Sequence, residues 1–307
     1  MKFYVSKCHD ALNGVTFNPE SITPYLCLNP YYNVSLEKNR KVKFIIDSGA
    51  FQDVGKDSRL SFDNALKRQL DFEKHVSKRK AEAIVSYDRL VDEQLNGEGQ
   101  FKKRVSIKLG KEYVEETIRA AEFLAERRDK LGPRKLILSC QGTTIKQYLE
   151  CIDSILEVSE PDDIVGIGGF CILSKSIEYE KQYYKIVTKA FPKIRKHGIE
   201  RVHIFGMGVF RALVQTDVYA RMNGIECSYD TSSPEINSVF GKSFNPMYAQ
   251  MNGVFSKIHK NKGYRPAELA MMNIGLINNY WEHIETMKLP DSFAPSIIRS
   301  RKKPKKG

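Results

Sequence analysis

Eight short apolar runs, each closing on turn-forming residues, set the strongest limit on what this chain can fold into. They are KFYVS (2–6), YLCLN (25–29), KFIIDS (43–48), AIVSYD (83–88), LILSCQG (136–142), IVGIGG (164–169), VHIFGMG (202–208) and IECSYD (225–230). Most end in Asp, Gly, Gln or Ser, and none alternates cleanly between apolar and polar residues. Parallel strands buried on both faces have this texture. Between the later runs lie stretches with apolar residues at helical spacing. KEYVEETIRAAEFLAERRDKLGP (111–133) carries Val114, Ile118, Ala121 and Leu124, and Gly132 and Pro133 are expected to stop it. TTIKQYLECIDSILEVSE (143–160), SIEYEKQYYKIVTKAFPKI (176–194) and GVFRALVQTDVYARMNG (208–224) follow the same pattern. Strands alternating with helices predict an α/β chain, a (β/α)8 TIM-type barrel, with a doubly wound open sheet as the rival. After Asp230 the segment TSSPEINSVFGKSFNPMYAQMNG is rich in turn residues and predicts an irregular insertion. RPAELAMMNIGLINNYWEHIETM (265–287) resumes a helix, with Pro266 in its first turn. One domain is expected over 1–298, followed by a basic tail over 299–307.

The partner class follows from charge. Lys and Arg number 49 against 37 Asp and Glu, a formal net charge of +12, which favours a polyanion such as nucleic acid. The basic clusters FKKRVSIK (101–108), with Lys102, Lys103 and Arg104, and KIRKHG (193–198), with Arg195 and Lys196, are candidate phosphate contacts, as is the terminal RKKPKK. Cys8, Cys27, Cys140, Cys151, Cys171 and Cys227 form no C-x-x-C pair, so a reducing, cytoplasmic setting is expected. No apolar run is long enough to span a membrane, and MKFYVSKCHD does not read as a signal peptide.

In a barrel of this kind the functional residues sit at the C-terminal ends of the strands. Those ends supply Asp47, Asp88, Gln141, Gly168, Gly169, Gly206 and Asp230: three carboxylates, an amide and glycines, without a metal-binding cluster. Each has a plainer reading. Asp47 can close a turn, Asp88 can pair with Arg89, and Gln141 can bond the turn before Thr144. GIGG (166–169) lacks the remainder of a phosphate-loop motif. His203 reads as a core or rim histidine.

The order of these segments resembles the queuine tRNA-ribosyltransferase family, the tRNA-guanine transglycosylases. DSGAFQ (47–52) is similar to that family's DSGG[FY]Q, and SYDRL (86–90) stands where the family has its base-reading Asp. LSCQGTT (138–144) is similar to VQGG, VGIGGF (165–170) to AIGGL, and FGMGV (205–209) to MGVG. IECSYDTSSP (225–234) stands in place of FDCVxPTR. Three departures stand out, one being that the chain is compact and the region after Asp230 matches the family poorly. No cysteine follows Cys227, so the family's zinc subdomain is lacking, and YDTSSP replaces the Pro-Thr-Arg stretch. With these departures the chain is most like the DNA-modifying branch, the DpdA-type DNA-guanine transglycosylases of bacterial modification clusters and phages. A phage origin would put it in the host cytoplasm.

The resemblance implies exchange of guanine in DNA for a 7-deazaguanine base, with retention and without a cofactor or metal. Asp230 is implied as nucleophile and Asp47 as general acid and base. Asp88, Gln141 and Gly169 are implied to read the purine edge, Phe51 and Phe205 to sandwich it, and Gly168, Ser48 and Gly206 to bind the substrate with them. Two alternatives stay open: a tRNA-guanine transglycosylase that has lost its zinc, and a non-catalytic nucleic-acid-binding subunit. A homodimer or an accessory DNA-remodelling protein also stays open.

Overall fold

In the computed structural model all eight apolar runs are strands of one closed parallel barrel: β1 (Lys2–Lys7), β2 (Tyr25–Leu28), β3 (Lys43–Ile46), β4 (Ala83–Val85), β5 (Lys135–Cys140), β6 (Ile164–Ile167), β7 (Arg201–Ile204) and β8 (Glu226–Thr231). They are hydrogen-bonded in chain order, and β8 closes back onto β1 with Lys2 opposite Ser228 and Tyr4 opposite Asp230. The residues described are 1–36, 41–54, 59–94, 101–170, 177–246, 254–257 and 263–286. The proposed basic tail lies outside them.

Two apolar cores follow from the two-residue period of each strand. Outward residues such as Phe44, Ile46, Leu136, Leu138, Val165 and Val202 join the helices in one large cluster. Inward residues Tyr4, Cys27, Ile45, Ala83, Val85, Ile137 and Ile164 fill the barrel itself, with Phe205 against them. Gly166 makes room for that ring, since a Cβ there would lie 2.6 Å from Phe205. Continuing the inward parity towards the strand ends gives Ser6, Asp47, Ser139, Gln141, Gly168, His203, Ser228 and Asp230. The interior therefore turns from apolar to polar along its axis.

The helical layer is α1 (Phe62–Val76), α2 (Ile107–Ala125), α3 (Ile145–Val158), α4 (Ile177–Lys196), α5 (Phe210–Met222), α6 (Ser233–Val239) and α7 (Pro266–Thr286). The first three begin on hydroxyl caps: Ser61, Ser106 and Thr144 each accept from the backbone N–H three residues on. Ser106 starts α2 ahead of the expected position, and α2 ends at Ala125. A separate turn, Arg128–Leu131, then leads to Gly132.

One expectation needs correction. The stretch after Asp230 is not wholly irregular. Pro234 in its first turn starts α6, and Lys242–Phe244 then pairs antiparallel with Phe255–Lys257. Among the described residues no α-helix joins β1 to β2 or β2 to β3. The first connection carries a small hairpin, Ala11–Leu12 with Val15–Thr16, and a 3-10 turn at Pro19–Ser21. Helix α7 packs over β1 and that hairpin instead. Its Trp281 Nε1–H donates to the Tyr229 hydroxyl at 2.7 Å, deep in the outer core.

A buried polar clamp fixes two strand ends beneath the cavity. Gln69 of α1 donates to the carbonyls of Ile46 (3.3 Å), Asp47 (3.1 Å) and Val85 (2.9 Å). It ties the ends of β3 and β4 together just where Asp47 and Asp88 emerge.

Candidate active site

The C-terminal ends of the strands open into a cavity of about 780 Å³. Asp47, Asp88, Gln141, Gly168, Gly169 and Asp230 all line it, as do Ser48, Phe51, Phe205 and Gly206. Residues from distant parts of the sequence are thus brought to one hollow by the parallel topology.

Asp230 ends its strand with both oxygens occupied. Oδ2 accepts from the Ser6 hydroxyl at 2.8 Å. Oδ1 lies 3.0 Å from the Gly206 N–H and 3.3 Å from His203 Nε2. His203 Nδ1 is 2.9 Å from the Ser228 hydroxyl. A carboxylate oxygen only accepts, so the network assigns the proton of a neutral imidazole to Nε2. His203 is 1% exposed, and its ring lies edge-on to Phe205 at 4.8 Å. It is therefore a buried histidine, as its apolar strand suggested, but one aimed at the acid. Gly206, an expected substrate-binding residue, lines the cavity, and its N–H donates to Asp230.

Asp47 has different surroundings. Its Oδ2 accepts from Asn29 Nδ2 at 2.6 Å, and its Oδ1 from the Ser48 N–H at 2.8 Å. Burial, followed by the negative charges of Asp230 and Asp88, pushes its carboxyl up to about 7. The two hydrogen bonds oppose that rise and are outweighed. Near neutral pH this group both holds and releases a proton.

The turn carrying Asp47 is built on Gly49, whose φ is +75°. A Cβ at this position would lie 2.7 Å from the Arg68 guanidinium and 2.9 Å from the Tyr31 ring. Arg68 stacks on Tyr31 at 4.1 Å and donates to the Ser48 carbonyl at 2.7 Å, so it cannot retreat without releasing the turn. Gly49→Ala is expected to cost about 2 kcal/mol, read from chemical denaturation. Ala50, where the similar family has glycine, needs no such freedom. It opens a 3-10 turn at ordinary φ, and its N–H reaches the Ser48 hydroxyl at 3.2 Å.

Asp88 and Gln141 meet each other. Gln141 Nε2 donates to Asp88 Oδ2, so one of the N–H groups expected to face a ligand is already engaged. The opposite amide orientation would set two acceptors face to face. Gln141 Oε1 is consequently buried without a hydrogen-bond partner, and an unpaired buried acceptor is costly unless a ligand supplies a donor. Burial also raises the Asp88 carboxyl, against the hydrogen bonds from Gln141 and Ser48. Gly168 and Gly169 leave space for the Gln141 amide, with a Cβ at either coming within 2.6 Å of it. Gly169 adopts φ +73°.

The expected phosphate contacts fare differently. Arg104 is not a surface cation. Its side chain is 6% exposed, on the hairpin formed by Asp92–Gln94 and Phe101–Arg104. It donates to the Gly169 carbonyl at 2.8 Å and to Gln182 at 2.6 Å, and lies over the Phe170 ring. It braces the glycine turn from behind. Arg195 and Lys196 end α4, just ahead of the start of β7, at the opposite end of the barrel from the cavity, and Arg195 pairs with Glu200 at 2.7 Å. The side chains of Lys102 and Lys103 lie outside the described residues.

Ser6 and Asn29 are site residues that the sequence reading did not single out, and His203, read there only as a core or rim histidine, joins them. Ser6 and Asn29 close the first two apolar runs, so the strand-end rule reaches them. His203 needs the inward parity of β7 as well. No protein-family model and no curated protein matches the chain.

Proposed function

We propose that this protein is a DNA-guanine transglycosylase that exchanges guanine in DNA for a 7-deazaguanine base through a covalent Asp230 intermediate. The observation that carries the reading is the contrast between two acids on one cavity. Both acids have each oxygen on a donor, but Asp230 is seated by Ser6, Gly206 and His203, while burial and neighbouring charge raise the Asp47 carboxyl to about 7. Paired carboxyls in unlike environments suit a retaining displacement at a glycosidic carbon.

In the first step Asp230 Oδ2, which has the single donor Ser6, forms a bond to C1′ of the deoxyribose. The C1′–N9 bond breaks, its electron pair leaves with guanine, and Asp47 gives guanine a proton. Oδ1 becomes the carbonyl oxygen of a glycosyl ester, with His203 Nε2–H and the Gly206 N–H as its donors. In the second step the incoming 7-deazaguanine loses its N9 proton to Asp47 and attacks C1′. The C1′–Oδ2 bond breaks and its electron pair returns to Asp230. The donors at Oδ1 make Asp230 a better leaving group in this step, as oxyanion-stabilising donors do elsewhere.

Asp88 accepts from the purine N–H edge, and Gln141 Oε1 takes a further donor from the base, which resolves its unpaired state. Phe51, 38% exposed, and Phe205 offer aromatic faces on the cavity wall. Stacking of this kind typically gives about 1–3 kcal/mol per base. A target inside a duplex must be flipped out to reach the hollow.

The direct test is incorporation of a radiolabelled 7-deazaguanine, with duplex DNA, single-stranded DNA and tRNA as parallel acceptors. Label is expected in DNA. Label in tRNA alone would move the activity to the RNA branch, and label in neither would overturn the reading.

A further inference from the structure

Three of the ten large apolar side chains exposed among the described residues fall within one five-residue stretch: Ile236 at 52%, Val239 at 53% and Phe240 at 65%. They follow the i, i+3, i+4 spacing of α6 and its C-cap, so they form one ridge. The ridge begins six residues after Asp230, and Ile236 also lines the cavity. It is thus the continuation of the cavity wall onto the outer surface. Clustered exposed apolar groups of this kind mark interaction sites.

Cations flank the ridge. Lys242 lines the cavity, and its ammonium lies 5.9 Å from the Phe240 ring. Lys257 stands directly opposite Lys242 in the antiparallel hairpin. Like charges in that register repel. No acid among the described residues pairs with either lysine. An anion laid across the hairpin would relieve the repulsion. Meanwhile, of the named phosphate-contact candidates, Arg104 is buried behind Gly169, and Arg195 and Lys196 lie at the far end of the barrel.

We propose that this ridge and hairpin are the docking surface for the DNA strand that flanks the target nucleotide. Phe240 stacks on a neighbouring base, and Lys242 and Lys257 meet the phosphates beside it. An apolar protein partner would leave the facing lysines uncompensated, whereas a nucleic-acid strand supplies π-faces and anions together. The assignment rests on the transglycosylase reading of the adjoining cavity.

The test uses the full chain and a fluorescein-labelled short single-stranded DNA containing one guanine, with an RNA strand of the same sequence as comparison. Binding is followed by anisotropy over a salt series. Phe240→Ala is expected to raise Kd roughly 5- to 100-fold with little change in salt slope. Lys257→Glu is expected to weaken binding and to reduce the slope of log Kd against log salt by about one. Both side chains are exposed, so unchanged melting curves check that the variants fold. Wild-type affinity for DNA in both variants would overturn the docking surface. So would a loss confined to the RNA strand, or a dimer that Phe240→Ala dissociates while DNA binding stays intact. A wild-type protein that binds DNA yet transfers no labelled base, with the variants impaired in binding, would sink the transglycosylase reading and leave the surface standing.

Discussion

Asp230→Asn is expected to abolish base exchange, with a loss of roughly 10³-fold or more, because an amide cannot form and release the glycosyl ester. The substitution keeps the shape of the side chain and an acceptor for Ser6 or Gly206, so the fold should persist. Two readouts separate a lost nucleophile from a damaged pocket. The wild-type protein, quenched by denaturation during turnover, should carry a covalently attached DNA strand on gels, and the Asn variant none. DNA affinity should meanwhile stay within a few-fold of wild type. Unchanged exchange by the variant would remove Asp230 from its role.

Asp47→Asn is expected to lower exchange by roughly 10²–10⁴, the usual contribution of a positioned proton donor. Its pH behaviour is more diagnostic. The first step of the proposed exchange needs Asp47 protonated, so kcat/KM for DNA should fall about tenfold per pH unit above pH ~7. Stability should move with the same group. The ordinary value of 3.8 is raised to about 7 in the fold, so the native state binds the proton more tightly than the unfolded chain does. The stability linked to that proton is therefore full below about pH 4, declines between there and pH 7, and is lost above. Asparagine carries no such penalty. The variant should melt several degrees above wild type at pH 8 and nearly with it at pH 4. A melting difference that ignores pH would show that Asp47 titrates normally and cannot be the proton carrier.

Much of the barrel was legible because its signal is local. Each strand is an apolar run, each run stops at a polar turn, and order along the chain becomes order around the barrel. What escaped was structure whose inward residues are polar. Helix α1 buries Gln69 and Glu73 alongside Ala65 and Val76. Gln69 clamps three carbonyls, and Glu73 accepts from Arg134 Nε at 2.8 Å and the Ala81 N–H at 2.7 Å. Both break the apolar period by which a helix is read. Arg104 misled in the opposite sense. It sits in a run of cations yet points inward, because charge in a sequence does not say which way a strand residue faces.

The acids Asp47, Asp88 and Asp230 were legible as strand ends. Their unlike environments were not, since these depend on Asn29, Ser6 and His203 arriving from other strands. The same holds for the orientation of the Gln141 amide, which only its contact with Asp88 decides.

The cover that α7 lays over β1 bears on the order in which a growing chain acquires its chemistry. The strand of Asp47 has both neighbours, β2 and β4, within the first 85 residues. The strand of Asp230 waits for β7 on one side and must return to β1 on the other. The tyrosine beside it, Tyr229, is then capped by Trp281. Contacts of such long sequence separation form late. During synthesis the strand of Asp47 can be paired on both sides long before that of Asp230. A nascent chain thus passes most of its translation with only one acid of the proposed pair in place.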